Sequence, residues 1–315
     1  MTDVRRLDRR QFLKTGAAGA ALTLGVTQAV SAAADEAGWI DAHSHIWSRD
    51  LTLAPLANGQ TLDDLKPPSF TTEELFRTCE PEGVRQVVLI QHYPYHGWNN
   101  DYLIHEAARF PDRLRVVGML DDTQPGAGHK MRELLQRRVT GFRITPRGRG
   151  NENWLTGDGM QEMWSTGAQT GQAMCCLIGA EELPRVDAMC AKNPGTPVVI
   201  DHFARIGVDG EIRKSDVDQL CRLARHPKTF VKVSAFYALG RKKPPYDDLL
   251  PMIRRLLDAY GPERLMWASD SPYQLTEPNS YAASIRLIRD DADFLSTGDR
   301  ECLLRKTAAA VYFFQ

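Results

Sequence analysis

Trp39-Ile-Asp-Ala-His-Ser-His-Ile-Trp47 alternates two sets of residues, Ile40, Ala42, Ser44 and Ile46 in one and Asp41, His43 and His45 in the other. Side chains on a strand point alternately to its two faces, so an extended reading puts Asp41, His43 and His45 on one side. Two imidazoles so placed can converge on one metal ion or one substrate carbonyl. Downstream of this first run, Trp39–His45, come further short runs rich in Val and Ile: Gln86–Gln91, Leu114–Leu120, Gly141–Thr145, Ala173–Ile178, Val198–His202, Thr229–Ser234 and Leu265–Asp270.

Helix-like segments fill the gaps. Thr72–Cys79 opens on a capping pattern, Thr71 with Glu74 three residues on. Tyr102–Phe110, His129–Arg138, Gly159–Thr170, Leu183–Ala191, Asp216–Arg225 and Leu249–Ala259 follow, and Arg300–Phe314 ends the series. Eight continuous apolar strands alternating with helices imply a parallel sheet buried on both faces, closed as an α/β fold of the (β/α)8 TIM type. A doubly wound open sheet is the alternative, and no glycine-rich turn follows an early strand to support it. Two insertions, Trp47–Phe70 and Pro146–Asp158, follow strands and are candidates for walls or a lid at the catalytic end.

Residues 1–34 are a different material. Asp8-Arg9-Arg10-Gln11-Phe12-Leu13-Lys14 precedes a weakly apolar run, Thr15–Val26, and then the small residues of Val30-Ser31-Ala32-Ala33-Ala34. This order is that of a secretory signal, and the paired arginines resemble a twin-arginine signal, with the export machinery as its partner. The apolar run is too short and glycine-rich for a stable membrane span. The expected division is a signal over 1–34, one barrel over 35–315, and a periplasmic or secreted product. The formal net charge of −1 argues against a nucleic-acid partner. Six cysteines, Cys79, Cys175, Cys176, Cys190, Cys221 and Cys302, show no metal or disulfide spacing and read as separate thiols.

Polar residues gather at strand C-termini, the catalytic face of such a barrel. The first strand offers His43 and His45, the second His92 and His96, the fourth Arg143 with Arg147 and Arg149 beyond, the sixth Asp201-His202, the seventh Ser234 with Tyr237 and Arg241 beyond, and the eighth Asp270. Strict alternation allows only one of Asp201 and His202 to face inward. Arg143 interrupts an apolar strand, and a buried guanidinium needs an anion, either a substrate or an interior acid such as Asp41 or Glu181.

Asp-Ala-His-Ser-His, Val-Val-Ile-Asp-His-Phe, Val-Lys-Val-Ser-Ala and Leu-Met-Trp-Ala-Ser-Asp-Ser-Pro together resemble the amidohydrolase superfamily over residues 39–315, and more closely its amidohydrolase-2 branch of lactonases. The resemblance implies a hydrolase that opens a lactone or cyclic ester of an acidic small molecule. It implies Asp270 as the base on water and His43, His45 and His202 as the groups polarising the carbonyl. Arg143 and Arg149 match the branch's carboxylate-binding arginines, and Tyr237 and Arg241 join them as candidate substrate contacts. A mononuclear zinc site of His43, His45 and Asp270 stays open, as does a metal-independent one, because the fifth strand offers no histidine. The alternatives are a zinc-dependent non-oxidative decarboxylase and a non-catalytic binder of a small acid.

Overall fold

A computed structural model describes residues 38–146 and 154–314. The signal-like stretch 1–34 and Arg149 lie outside the described residues. Eight strands form one sheet in sequential order: β1 Trp39–Ser44, β2 Val84–Ile90, β3 Leu114–Gly118, β4 Val139–Ile144, β5 Ala173–Cys176, β6 Val198–Ile200, β7 Thr229–Val233 and β8 Leu265–Trp267. Every neighbouring pair is parallel. The β8–β1 seam is closed just beyond the strand ends. Asp270 N–H donates to the His43 carbonyl and His45 N–H to the Ser271 carbonyl, each at 2.8 Å. The expected TIM-type barrel is the observed one.

Helices α1 Thr72–Cys79, α2 Asp101–Arg109, α3 Ala127–Leu135, α4 Asp158–Thr170, α5 Leu183–Lys192, α6 Lys214–Arg222 and α7 Leu250–Tyr260 join successive strands. The capping box at α1 is present, Thr71 N–H donating to Glu74 Oε2 at 2.6 Å and Glu74 N–H to Thr71 Oγ1 at 3.4 Å. Two apolar layers result. An outer layer packs helices against strands. An inner one fills the barrel with Ile40, Val88, Val117, Cys175, Val199 and Met266, among others, and with Ala308, Val311 and Tyr312 of the last helix, α8 Thr307–Tyr312. That helix therefore floors the barrel. Cys175 faces this interior and Cys176 the outer layer, as alternation requires.

The first strand departs from strict alternation. Ile40 and Ala42 point into the barrel, and a register irregularity separates Asp41 from Ser44. Asp41 consequently does not share a face with the histidines. Its carboxylate accepts from Ser44 Oγ (2.9 Å), Ser269 Oγ (2.5 Å) and Tyr281 OH (3.0 Å). The Trp47–Phe70 insertion is pinned at its base by reciprocal bonds between Trp47 and Phe70. It buttresses the Tyr93-Pro94 turn, with Asn58 Nδ2 donating to the Tyr93 carbonyl at 2.8 Å.

Candidate active site

A cavity of about 580 Å³ opens at the C-terminal ends of the strands, its floor made by His45, Arg143, His202, Tyr237 and Asp270. Its upper walls are largely apolar, with Trp98, Met119, Leu177, Val208 and Leu239 among them.

Asp270 lies past the end of β8 with φ +62°, a left-handed conformation that turns its carboxylate back over the barrel mouth. His43 Nε2 and His45 Nε2 each stand 3.4 Å from Asp270 Oδ1, and His202 Nε2 is 3.8 Å from Oδ2. Tyr237 OH donates to Oδ2 at 2.8 Å. Burial pushes the Asp270 carboxyl up, but His202, His45 and His43 more than offset this and hold it below the usual range. It is therefore ionised at neutral pH. His43 and His202 are held below the usual imidazole range, chiefly by burial, and are neutral there. His92 is lowered to about 2, by burial and by His45. Its Nε2 meets Tyr273 OH at 2.5 Å on the cavity wall. His96 is instead tied to the Pro55 carbonyl at 3.0 Å.

Asp201 and His202 are both buried and both face the interior, a departure from the one-inside expectation. The strand ends at Ile200, and His202, Phe203 and Ala204 all take left-handed φ values near +50°, so the alternation stops there. His202 Nδ1 is 2.8 Å from Ser234 Oγ. Asp201 pairs with Lys232, a residue the sequence reading passed over. Lys232 Nζ lies 3.0 Å from Asp201 Oδ1 and 3.1 Å from His43 Nδ1, with the side chain wholly buried. Burial raises the Asp201 carboxyl, but Lys232 and His43 bring it well below its ordinary range. A lone lysine inside the apolar run Phe-Val-Lys-Val carries the same signal that singled out Arg143, and could have been found by it.

Arg143 lies at the cavity floor. Its Nη2 is 3.3 Å from His43 Nε2, its Nε is 3.8 Å from Asp201 Oδ2, and that Nε has no hydrogen-bond partner. The interior acid near it is thus Asp201, not Asp41 or Glu181. Arg241 is not brought to the cavity. It sits at the surface, its side chain 55% exposed, in ion pairs with Asp247 and Asp248. Those acids lie only six and seven residues on, so a local pairing satisfies the guanidinium outside the barrel. Arg205, which the sequence reading did not select, lies on the cavity wall instead.

One donor atom from each of His43, His202 and Asp270 comes within 4.8 Å of the others, so by spacing this group could hold a metal ion. Hydrogen bonding distinguishes the two first-strand histidines. His45 Nδ1 is 2.8 Å from the Ile90 carbonyl, which requires N–H there and leaves Nε2 a lone pair, the arrangement a metal-ligating histidine shows. His43 has a donor-only ammonium at Nδ1, and its Nε2 does not fit that pattern.

The amidohydrolase model (Amidohydro_2) matches residues 40–314. The chain belongs to the amidohydrolase-2 family. A twin-arginine translocation signal model matches residues 6–25, so this amidohydrolase is exported to the periplasm or secreted. No helix among the described residues is long and apolar enough to cross a membrane. An L-fucono-1,5-lactonase of Burkholderia ambifaria is 27% identical over 74% of this chain and 80% of its own length. A 4-sulfomuconolactone hydrolase of Rhizobium radiobacter is 24% identical over 78% of each. Among solved structures, a protein described as a 2-pyrone-4,6-dicarboxylic acid hydrolase of Pseudomonas putida superposes with a TM-score of 0.73 at 25% identity, over 88% of this chain and 98% of that one. A Burkholderia multivorans amidohydrolase with bound zinc gives a TM-score of 0.72 at 20% identity, over 88% of this chain and 99% of that one, a likeness of fold alone. The amidohydrolase described here is a hydrolase of the lactonase-like kind.

Proposed function

We propose that this enzyme, with residues 1–34 as its signal and the barrel as its mature part, opens a lactone of an acidic small molecule by attack of water. The observation that carries the reading is the ionised Asp270 carboxylate facing three imidazole Nε2 atoms at 3.4–3.8 Å. A water between Asp270 and the lactone carbonyl carbon gives its proton to the carboxylate as its oxygen bonds to that carbon. Negative charge moves to the carbonyl oxygen, where His43, His202 and the nearby Arg143 surround it. Collapse of the tetrahedral intermediate breaks the ring C–O bond, and Asp270 returns its proton to the departing alkoxide. Arg143, with Arg149 beyond it in sequence, binds the acidic substituent, since a guanidinium pairs with carboxylate or sulfonate by parallel hydrogen bonds. Tyr237 steadies Asp270 by donating to its second oxygen.

No step here is routed through a metal, because the hydrogen bonding at His43 does not fit one. A divalent ion would find its better ligands in His45 and Asp270. The test is hydrolysis of a panel of acidic aldono- and muconolactones, before and after chelation. Turnover that survives chelation and is lost in Asp270→Asn supports the reading. Release of carbon dioxide from an unsaturated acid, with activity dependent on stoichiometric zinc, would replace it with a decarboxylase.

A further inference from the structure

His43 and His45 share the first strand and face the same carboxylate, yet their hydrogen bonds place their ring protons on opposite nitrogens. The Ile90 carbonyl at 2.8 Å can only accept, so His45 carries its proton on Nδ1. Lys232 presents an ammonium to His43 Nδ1 at 3.1 Å, and an ammonium can only donate. Arg143 is likewise a donor, at Nε2, so the acceptors decide: Asp270 Oδ1 is 3.4 Å from Nε2, nearer than Asp201 Oδ1 at 3.8 Å from Nδ1, and a neutral His43 accepts at Nδ1 and carries its proton on Nε2, pointing into the site. The other residues around Lys232 keep it in place. Asp201 pairs with it at 3.0 Å, and the Tyr312 ring lies below it with its centroid 5.5 Å from Nζ. Arg143 Nη2, 3.3 Å from His43 Nε2, is then a second donor beside the first. Two N–H groups that close cannot bond each other, and together they suit one anionic oxygen.

We propose that Lys232 is a positioning residue that fixes the His43 tautomer, making His43 an oxyanion donor while His45, of the opposite tautomer, is an acceptor for the attacking water. This rests on the lactone-opening reading of the site and adds to it a division of labour between the paired histidines.

Long-range 1H–15N correlation spectra of the ring-labelled full enzyme at neutral pH test it without a substrate, with His43 assigned from the signals missing in His43→Gln. The expected spectrum shows His43 with a protonated Nε2 and His45 with a protonated Nδ1. A His43 protonated at Nδ1 overturns the proposal and restores Nε2 as a metal ligand. In Lys232→Met the His43 pattern should change and kcat on a lactone should fall about 10²-fold, as for loss of one oxyanion donor, with KM nearly constant. Lys232→Arg keeps a donor-only cation and should keep the His43 pattern. A folded Lys232→Met enzyme with unaltered tautomer and kcat sinks the proposal while leaving lactone hydrolysis intact. Failure of the wild-type enzyme on every lactone instead sinks the functional reading, and the spectra still decide the role of Lys232.

Discussion

The Asp41 carboxylate and the Ser269 hydroxyl stand 2.5 Å apart across 228 residues of sequence. This contact joins the first strand to the segment after the last, where the sheet has least backbone pairing. Asp41 also accepts from the backbone N–H of His43 at 3.1 Å and of Ser269 at 2.9 Å. The seam and the first catalytic candidate are thus held by one buried side chain.

Replacing Asp41 by alanine strands several buried donors at once. Each unsatisfied group costs about 1–3 kcal/mol, so the expected loss is at least about 3 kcal/mol. In a barrel of this size that lowers Tm by about 6–12 °C. Calorimetry of Asp41→Ala beside Ser269→Ala, which removes only one hydroxyl, should rank the two clearly. Equal and small losses would show that the seam does not depend on this carboxylate.

Asp270→Asn removes the proposed proton acceptor but preserves size, so lactone turnover should fall about 10²–10⁴-fold while the fold persists. The variant's kcat and its circular dichroism spectrum, taken together, check this. Residual activity within tenfold of wild type would move the base elsewhere.

In the proposed reaction the depressed Asp270 carboxyl sets the acid limb. Activity needs its ionised form, so the limb in the free enzyme should lie below the ordinary aspartate value of about 3.9. A kcat/KM profile from pH 8 to 4 should show no loss traceable to a carboxylate. A limb centred between 5 and 6 would contradict the cationic and imidazole surroundings described.

Stability should fall on mild acidification. His43, His92 and His202 all have folded-state values below the unfolded one, burial being the main cause. The unfolded chain then takes up more protons as pH drops. The stability concerned is fully present above about 6.5 and is lost as pH falls from there towards the folded values, by up to about 1.4 kcal/mol per pH unit for each histidine. The lowered carboxyls of Asp201 and Asp270 add their own loss only below about 3.9. Urea midpoints at pH 7, 6 and 5 should decline in that order, and a flat series would refute this.

Arg143→Met should raise KM for an acidic lactone about 10–100-fold, through loss of a charge-assisted pair. A neutral lactone of the same ring should keep its KM and lose only kcat, through the missing oxyanion donor. An equal rise in KM on both substrates would show that Arg143 does not bind the acidic substituent.

Much of the barrel was legible because buried parallel strands are continuous apolar runs, and all eight fall within or beside the expected ranges. Less of the site was legible, for local reasons. The irregularity after Asp41 has no marker in Asp-Ala-His-Ser. The left-handed turn over His202, Phe203 and Ala204 occurs without glycine, so nothing in the residue types announces that Asp201 and His202 face one way. Arg241 resembled a site cation until Asp247 and Asp248 were seen to hold it. Lys232 was visible and unread: a cation in an apolar strand asks for an interior anion, and Asp201 was in sight at the end of the strand before.

Tyr312 lies beneath Lys232 and its hydroxyl is 3.4 Å from Cys175 Sγ, so the barrel's floor is laid by a residue that follows every strand in the sequence. Protein synthesis runs in that same direction. While the ribosome still covers α8, the eight strands can be made but their interior has no lower boundary, and the cation under His43 stands open to water from below. The chemistry at the mouth of this barrel thus has a birth order: it is finished from the opposite end, by a helix that emerges after all eight strands.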